Sequence, residues 1–201
     1  MHPSLNSITE ARNGLLDPNF AGGTAVKPHN ELAEVTGELL AESSSLAIPA
    51  RRICNWMKSE DIEVLGAVFR LLHKKEHYSR IDPPLTFSDY HPFHLRYYER
   101  CLRENPDGKW SDSSYLAAHS LVAWFNGIWK DPSTPKQAFQ ELKAMLARLY
   151  REGDARLRTC IITGALEHLF ENRQIRQFFD DWKEDPALKE AYSEALGDKA
   201  G

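Results

Sequence analysis

The chain has 201 residues, a net charge of −4, 42% hydrophobic and 27% charged residues, proportions that fit one globular domain with a sizeable core or two very small ones. No apolar run approaches the roughly 20 residues needed to span a bilayer. The opening "MHPSLNSITEARNG" lacks the basic and apolar regions of a secretion signal, so a cytoplasmic protein without a membrane partner is expected.

Residues 1–29 hold scattered Gly, Pro and Asn without a sustained period and read as a flexible or irregular arm before a single helical domain over 30–201. "NELAEVTGELLAES" reads as a first helix with Asn30 as N-cap and Leu32, Val35, Leu39 and Leu40 near one face. A shorter helix with Pro49 in its first turn follows in "SSLAIPARRICNWMK". In "SEDIEVLGAVFRLLHKKEH", Ser59 is the expected cap, and Ile62, Leu65, Val68, Phe69 and Leu72 form the buried stripe. "IDPPL" stops it, because Pro83 and Pro84 remove donors and bias their neighbours to extended backbone.

The next helix starts near Asp89 and ends at the turn signal "NPDG". "SDSSYLAAHSLVAWFNGIWK" is rich enough in bulky apolar residues for a central helix contacted on more than one side. After "DPSTP", Thr134 can cap, Pro135 fits the first helical position and Gln137 completes a capping box. Gly153 is expected in the left-handed position and Asp154 as the next N-cap, which forces an antiparallel helical hairpin. Its second helix carries Leu157, Cys160, Ile161, Ile162, Ala165, Leu166, Leu169 and Phe170 around much of its circumference, as a buried layer does. One or two shorter helices finish the chain. No alternating run with hairpin turns is present, so the expected class is all-α: antiparallel helix pairs in a helical bundle or a short HEAT-like stack.

Few residues suggest chemistry. Cys54, Cys101 and Cys160 form no CxxC pattern and read as free thiols. Cys160, Glu167 and His168 share one stretch, but seven or eight helical residues place thiol and base about 10 Å apart, too far for a nucleophile–base pair. His73 and His77, then His91 and His94, have the spacings that put two ligands on one helical face, and they could bind zinc if the two helix ends met. Phosphate loops, nucleophile elbows and HExxH are missing from the sequence. Trp124 and Trp129 read as core, whereas Trp110 and Trp182 are equally compatible with core and with a binding face.

Charge is unevenly spread. Residues 1–44 carry 6 acidic and 2 basic side chains, and residues 167–201 carry 9 and 5. The remaining middle segment is therefore net basic by four, which argues against a uniform nucleic-acid face and leaves an acidic C-terminal end for a basic partner.

The runs "DYHPFHLRYYERCLRENPDGKWSDSSYLAAHSLVAWF" and "LARLYREGDARLRTCIITGALEHLFEN" resemble a family of small bacterial all-helical proteins of otherwise unknown function, which look like the immunity proteins carried beside polymorphic toxin genes. The resemblance covers about Asp89 to Leu196. Its most specific piece is Tyr150-x-Glu152-Gly153-Asp154 followed by the apolar helix to "EHLFE". It implies a cofactor-free, non-enzymatic protein that neutralises a cognate toxin domain by occluding its active site or holding it inactive. Charge clustering then nominates Glu167, Glu171, Asp180, Asp181, Trp182, Glu184 and Asp185 as the partner-binding set. The competing expectations are a helical scaffold for another protein or nucleic acid, and a metal-dependent enzyme using the four histidines.

Overall fold

The computed structural model describes residues 28–40, 47–105, 107–108 and 111–197. Most of the N-terminal arm, and Trp110, lie outside the described residues. The first described helix, α1 (Pro28–Leu40), starts earlier than expected, so Asn30 lies inside it and does not cap it. Val35 is fully buried. The outer face is tied by Arg52, which reaches Glu34 at 3.4 Å and Glu38 at 3.1 Å, and by Arg80, also 3.1 Å from Glu38.

Pro49 ends a two-residue strand, β1 (Ile48–Pro49), and precedes α2 (Ala50–Trp56). That strand pairs in parallel with β2 (Ile81–Asp82), immediately before Pro83. The extended backbone that the Pro-Pro pair imposes is thus used to pin α2 to the chain after α4 (Lys75–Tyr78). The other regular elements among the described residues are helical.

In α3 (Ile62–His73) the cap is Asp61, whose carboxylate accepts from the Glu63 N–H at 2.8 Å; Ser59 acts one step earlier, accepting from the Asp61 N–H at 3.3 Å. Leu65, Val68 and Phe69 are buried as the stripe requires. The expected start of α5 (Phe87–Glu104) shifts to a capping box in which Thr86 and Asp89 bond each other's backbone. Serine 113 caps α6 (Ser114–Lys130), accepting from the Leu116 N–H at 3.3 Å. At α7 (Lys136–Glu152) the expected Thr134 cap does not form: Pro135 holds the N-cap position, with no side-chain cap bond.

The α7–α8 hairpin forms, with a correction at its glycine. Gly153 has φ −76° and ψ 155°, ordinary extended backbone and not the left-handed region. Its requirement is spatial, since a Cβ there would lie 2.6 Å from the Leu149 carbonyl oxygen and 3.0 Å from the Leu157 side chain. Asp154 caps α8 (Ala155–Ile161) by accepting from the Leu157 N–H at 2.8 Å. Arg158 closes the turn by donating to the carbonyls of Tyr150 at 3.0 Å and Arg151 at 3.3 Å, which the end of α7 leaves unpaired. Gly153→Ala should therefore cost about 2 kcal/mol or more by overpacking against backbone. Chemical denaturation checks this, and an alanine variant as stable as the parent would remove close approach as the reason for glycine.

A π-helical turn (Ile162–Leu166) interrupts the helix between α8 and α9 (Glu167–Phe170), with the Glu167 N–H reaching back to the Ile162 carbonyl. All eight apolar residues expected to be buried along this stretch are buried, with exposures of 0–6%. Then follow α10 (Arg173–Phe178), a 3-10 turn (Asp180–Lys183) and α11 (Lys189–Ala195). The result is an all-α helical bundle.

Two aromatic clusters fill it. One stacks Phe69 on Tyr97 at 4.1 Å, with Tyr98 at 5.7 Å from Phe69. The other gathers Phe125, Phe170, Phe178 and Trp182 around Phe179 at 5.1–6.3 Å. Buried polar groups join the helices. The Ser114 hydroxyl is shared between the carbonyls of Cys101 and Leu102, both at 3.1 Å, while Arg156 donates to Ser114 Oγ at 3.1 Å. Arg148 grips Glu99 with two bonds of 2.5 and 2.9 Å, linking α7 to α5.

Candidate partner-binding face and cleft

The π-turn sits against the first turns of α6. A Cβ on Gly164 would lie 3.0 Å from Ala118 Cβ and 3.3 Å from the Tyr115 ring, so glycine permits this approach. The Thr163 hydroxyl is shared between two acceptors, the Thr159 carbonyl at 2.9 Å and Tyr115 Oη at 3.3 Å. One turn on, the His119 and His168 rings meet at 5.0 Å, and His168 Nδ1 lies 3.3 Å from Glu171 Oε1. Residues 115, 116 and 119 are neighbours on a helical surface. Tyr115 is 45% exposed and Leu116 54%, the largest exposures among bulky apolar residues described. Glu167, the first residue after the π-turn, is exposed and makes no ion pair among the described residues. This face therefore places exposed Tyr115 against the π-turn, with the His119–His168 imidazole pair one turn on and the Glu171 carboxylate beside His168.

The seven acidic and aromatic residues nominated from the sequence divide into two groups. Glu167 and Glu171 belong to the face just described. The other five lie on or beside the 3-10 turn, and no hydrogen bond or ion pair among the described residues links the two groups. Trp182 needs correction as a partner-binding residue: it is 2% exposed, its ring 5.1 Å from Phe179, because the 3-10 turn drives it into the core. Several carboxylates are also engaged internally. Asp181 pairs with Lys143, whose ammonium donates to the Phe178 carbonyl at 2.7 Å and lies 4.7 Å from the Phe178 ring centroid. Asp185 accepts from Arg151 at 2.5 Å, and Asp180 lies 2.9 Å from the donating Tyr192 hydroxyl and 2.6 Å from Lys183 Nζ. Those bonds hold the carboxyls of Asp180 and Asp185 below the ordinary range; for Asp185 the Ala187 N–H is the foremost cause. Glu184 is exposed.

Cys160 is fully buried, and that burial pushes its thiol up to about 11, so it is a protonated core group beside neither Glu167 nor His168 on the exposed face. The four histidines do not converge. His77 is buried with Nδ1 3.4 Å from an Arg80 guanidinium nitrogen. His91 Nε2 lies 2.8 Å from Glu141 on α7, and its buried Nδ1 has no hydrogen-bond partner among the described residues. Only His73 and His94 meet, with ring centroids 5.7 Å apart. Among the described residues no group of three or more His, Cys, Asp or Glu is placed to hold a metal ion.

His73 and His94 instead help to line an open cleft of about 400 Å³, where the C-terminal ends of α3 and α6 approach the start of α5. Tyr78, Tyr90, Trp124 and Asp131 complete its distinctive lining, with Leu72, Gly127 and Ile128 beneath. Trp124 stacks on His94 at 5.0 Å and 13°, and Tyr90 meets the same imidazole edge-on at 5.7 Å. Trp124 and Trp129, expected as core, are only partly buried.

Sequence reasoning missed Tyr115 and Leu116. The signal was present: the buried stripe of α6 runs through Ala117, Ala118, Leu121, Phe125 and Ile128, and Leu116 falls off it. No described helix is long and apolar enough to cross a membrane. No family model matches the chain, and neither does any curated protein or solved structure.

Proposed function

We propose that this chain is an immunity protein, acting in the cytoplasm by binding a cognate toxin domain and holding it inactive without catalysis of its own. The single observation that carries the reading is that exposed Tyr115, next to exposed Leu116 on α6, packs against the π-turn that leads directly into Glu167, His168 and Glu171. Exposed aromatic and aliphatic anchors supply the central apolar contact of a protein interface, and charges around them set orientation and speed of encounter. A π-turn is a costly irregularity that recurs at functional positions. The likeness of the stretch from Asp89 to Leu196 to toxin-associated immunity proteins supports a toxin domain as the partner. A toxin acting on nucleotides or nucleic acid carries a basic substrate channel, which Glu167 and Glu171 complement.

Capture from the native bacterium with tagged protein should return, at stoichiometric yield, a toxin-like domain encoded next to this chain. Paired substitution Tyr115→Ala with Leu116→Asp should then weaken that complex by about a hundredfold or more, with helical circular dichroism unchanged. Charge reversal at Asp180, Asp181, Glu184 and Asp185 should matter less, because three of those four are engaged within the fold. Equal affinity of parent and face variant would relocate the interface. Absence of any toxin-like partner, together with no protection of cells against the neighbouring gene product, would defeat the immunity reading and favour a general helical scaffold.

A further inference from the structure

We propose that the cleft between α3, α5 and α6 is a binding site for a small organic ammonium cation, a role separate from the toxin-binding face. The lining fixes the sign of the ligand. Three aromatic side chains, Tyr78, Tyr90 and Trp124, border the cavity, and among the described residues no Lys or Arg side chain lines it. Aromatic faces are electron-rich and attract cations, best of all alkylammonium groups whose hydration is weak. Asp131 supplies a formal negative charge at the mouth. It is oriented there by Ser133, whose N–H and hydroxyl donate to Oδ1 at 2.9 and 2.7 Å. Those two bonds hold its carboxyl below the usual range, so it stays ionised.

Both imidazoles are oriented by backbone carbonyls. His73 Nδ1 lies 2.9 Å from the Phe69 carbonyl, and His94 Nδ1 lies 2.9 Å from the Tyr90 carbonyl. A carbonyl only accepts, so each Nδ1 carries a proton, and in His94, which is neutral, Nε2 is left as a lone-pair acceptor. Burial keeps His94 neutral, its pKa pushed down to about 4. The backbone acts in the same direction. Helix α3 ends at His73 and α6 ends at Lys130, and residues from the last turn of each line the cleft. Helix C-termini present unpaired carbonyls and the negative end of the macrodipole, which favour a cation. An anion would meet a carboxylate, two helix C-termini and three π faces. A metal ion would find only two imidazoles and a distant carboxylate among the described residues. The cavity volume of about 400 Å³ exceeds a trimethylammonium group and leaves room for a short substituent.

The test uses the full chain and two probes of nearly equal shape: choline, and its uncharged carbon isostere 3,3-dimethylbutan-1-ol. Titration calorimetry should show saturable choline binding with a Kd of about 1 mM or tighter, and the isostere at least about tenfold weaker. Asp131→Asn, a change at an exposed side chain, should weaken choline about fivefold while leaving the isostere unchanged. Trp124→Leu should abolish choline binding. Equal binding of the two probes would show a merely apolar cleft and overturn the proposal. So would absence of saturable choline binding in the parent, or full choline affinity in Asp131→Asn and Trp124→Leu alike.

Discussion

Phe179→Ala is expected to lower the stability of the fold by about 3–5 kcal/mol, the cost of deleting a buried phenyl ring and leaving its cavity. Phe179 is fully buried and is the hub on which the C-terminal third closes. Its ring touches Phe125 of α6 at 6.3 Å, Phe170 of α9 at 5.5 Å and Trp182 of the 3-10 turn at 5.1 Å. The Lys143 ammonium of α7 lies 5.5 Å from its centroid. Four elements thus share one side chain, three of them remote from it along the chain or separated by another helix, and relaxation to fill the hole would have to move all of them. A chain of this size should lose roughly 10 °C of melting temperature for such a change. In urea the midpoint should fall with the slope unchanged. Phe179→Leu should recover most of the loss, because it restores volume without the aromatic contacts. A loss below about 1 kcal/mol in the alanine variant would mean that the hub is not where the C-terminal elements draw their stability.

This region also shows what the sequence could and could not disclose. The apolar positions from Leu157 to Phe170 were readable because burial follows helical period, and all are buried. The π-turn within them was not, since the same residues fit an uninterrupted helix and the extra residue in the turn is absorbed by contact with Ala118 and Tyr115. Gly153 was readable as the hairpin's pivot but for another reason: its backbone is extended, and the constraint is the Leu149 carbonyl beside it. Capping shifted by short steps, from Ser59 to Asp61 and from Thr134 to Pro135, because several small polar residues stand in a row and only tertiary placement selects among them. Trp182 had polar sequence neighbours, yet a 3-10 turn rotates it inward while Asp180 and Asp181 stay exposed. Histidine spacing placed His91 and His94 on one helix, but extended Lys74 ends α3 at His73 and puts His77 on α4, and which imidazoles meet depends on how α3 crosses α5. That crossing joins His73 to His94 and sends His91 towards Glu141. Of the candidate site, Glu167 and Glu171 were therefore legible from charge. The apolar half could be read only as positions off the buried stripe of α6, as Leu116 is; the packing of Tyr115 against the π-turn is a tertiary contact with no local pattern behind it.

Acid should destabilise the protein through His94 before its carboxylates respond. The imidazole is 6% exposed, between Phe69, Phe93, Tyr98 and Trp124, with His73 beside it. Burial lowers its pKa from 6.5 to about 4; the Tyr90 carbonyl opposes the shift, and His73 and His91 add to it. The unfolded chain therefore takes up this proton first as pH falls. Above pH 6.5 the ring is neutral in both states and its contribution is whole. Between pH 6.5 and about 4 the unfolded state gains the proton and stability declines, by roughly 3 kcal/mol in all. The carboxyls held low in the fold, among them Glu99 by Arg148 and Glu141 by His91, start from unfolded values of 4.5 or less, so their losses lie further into acid. A window from pH 6.5 to 4.5 consequently isolates histidine. His94→Phe keeps a ring against Trp124 and removes the titration, and its stability should be flatter across that window by about 2–3 kcal/mol than the parent's, measured by urea denaturation at each pH. Parallel pH profiles for the two proteins would show that His94 accepts its proton in the folded state at no cost, and the imidazole would then lie in water and not against the wall of the cleft.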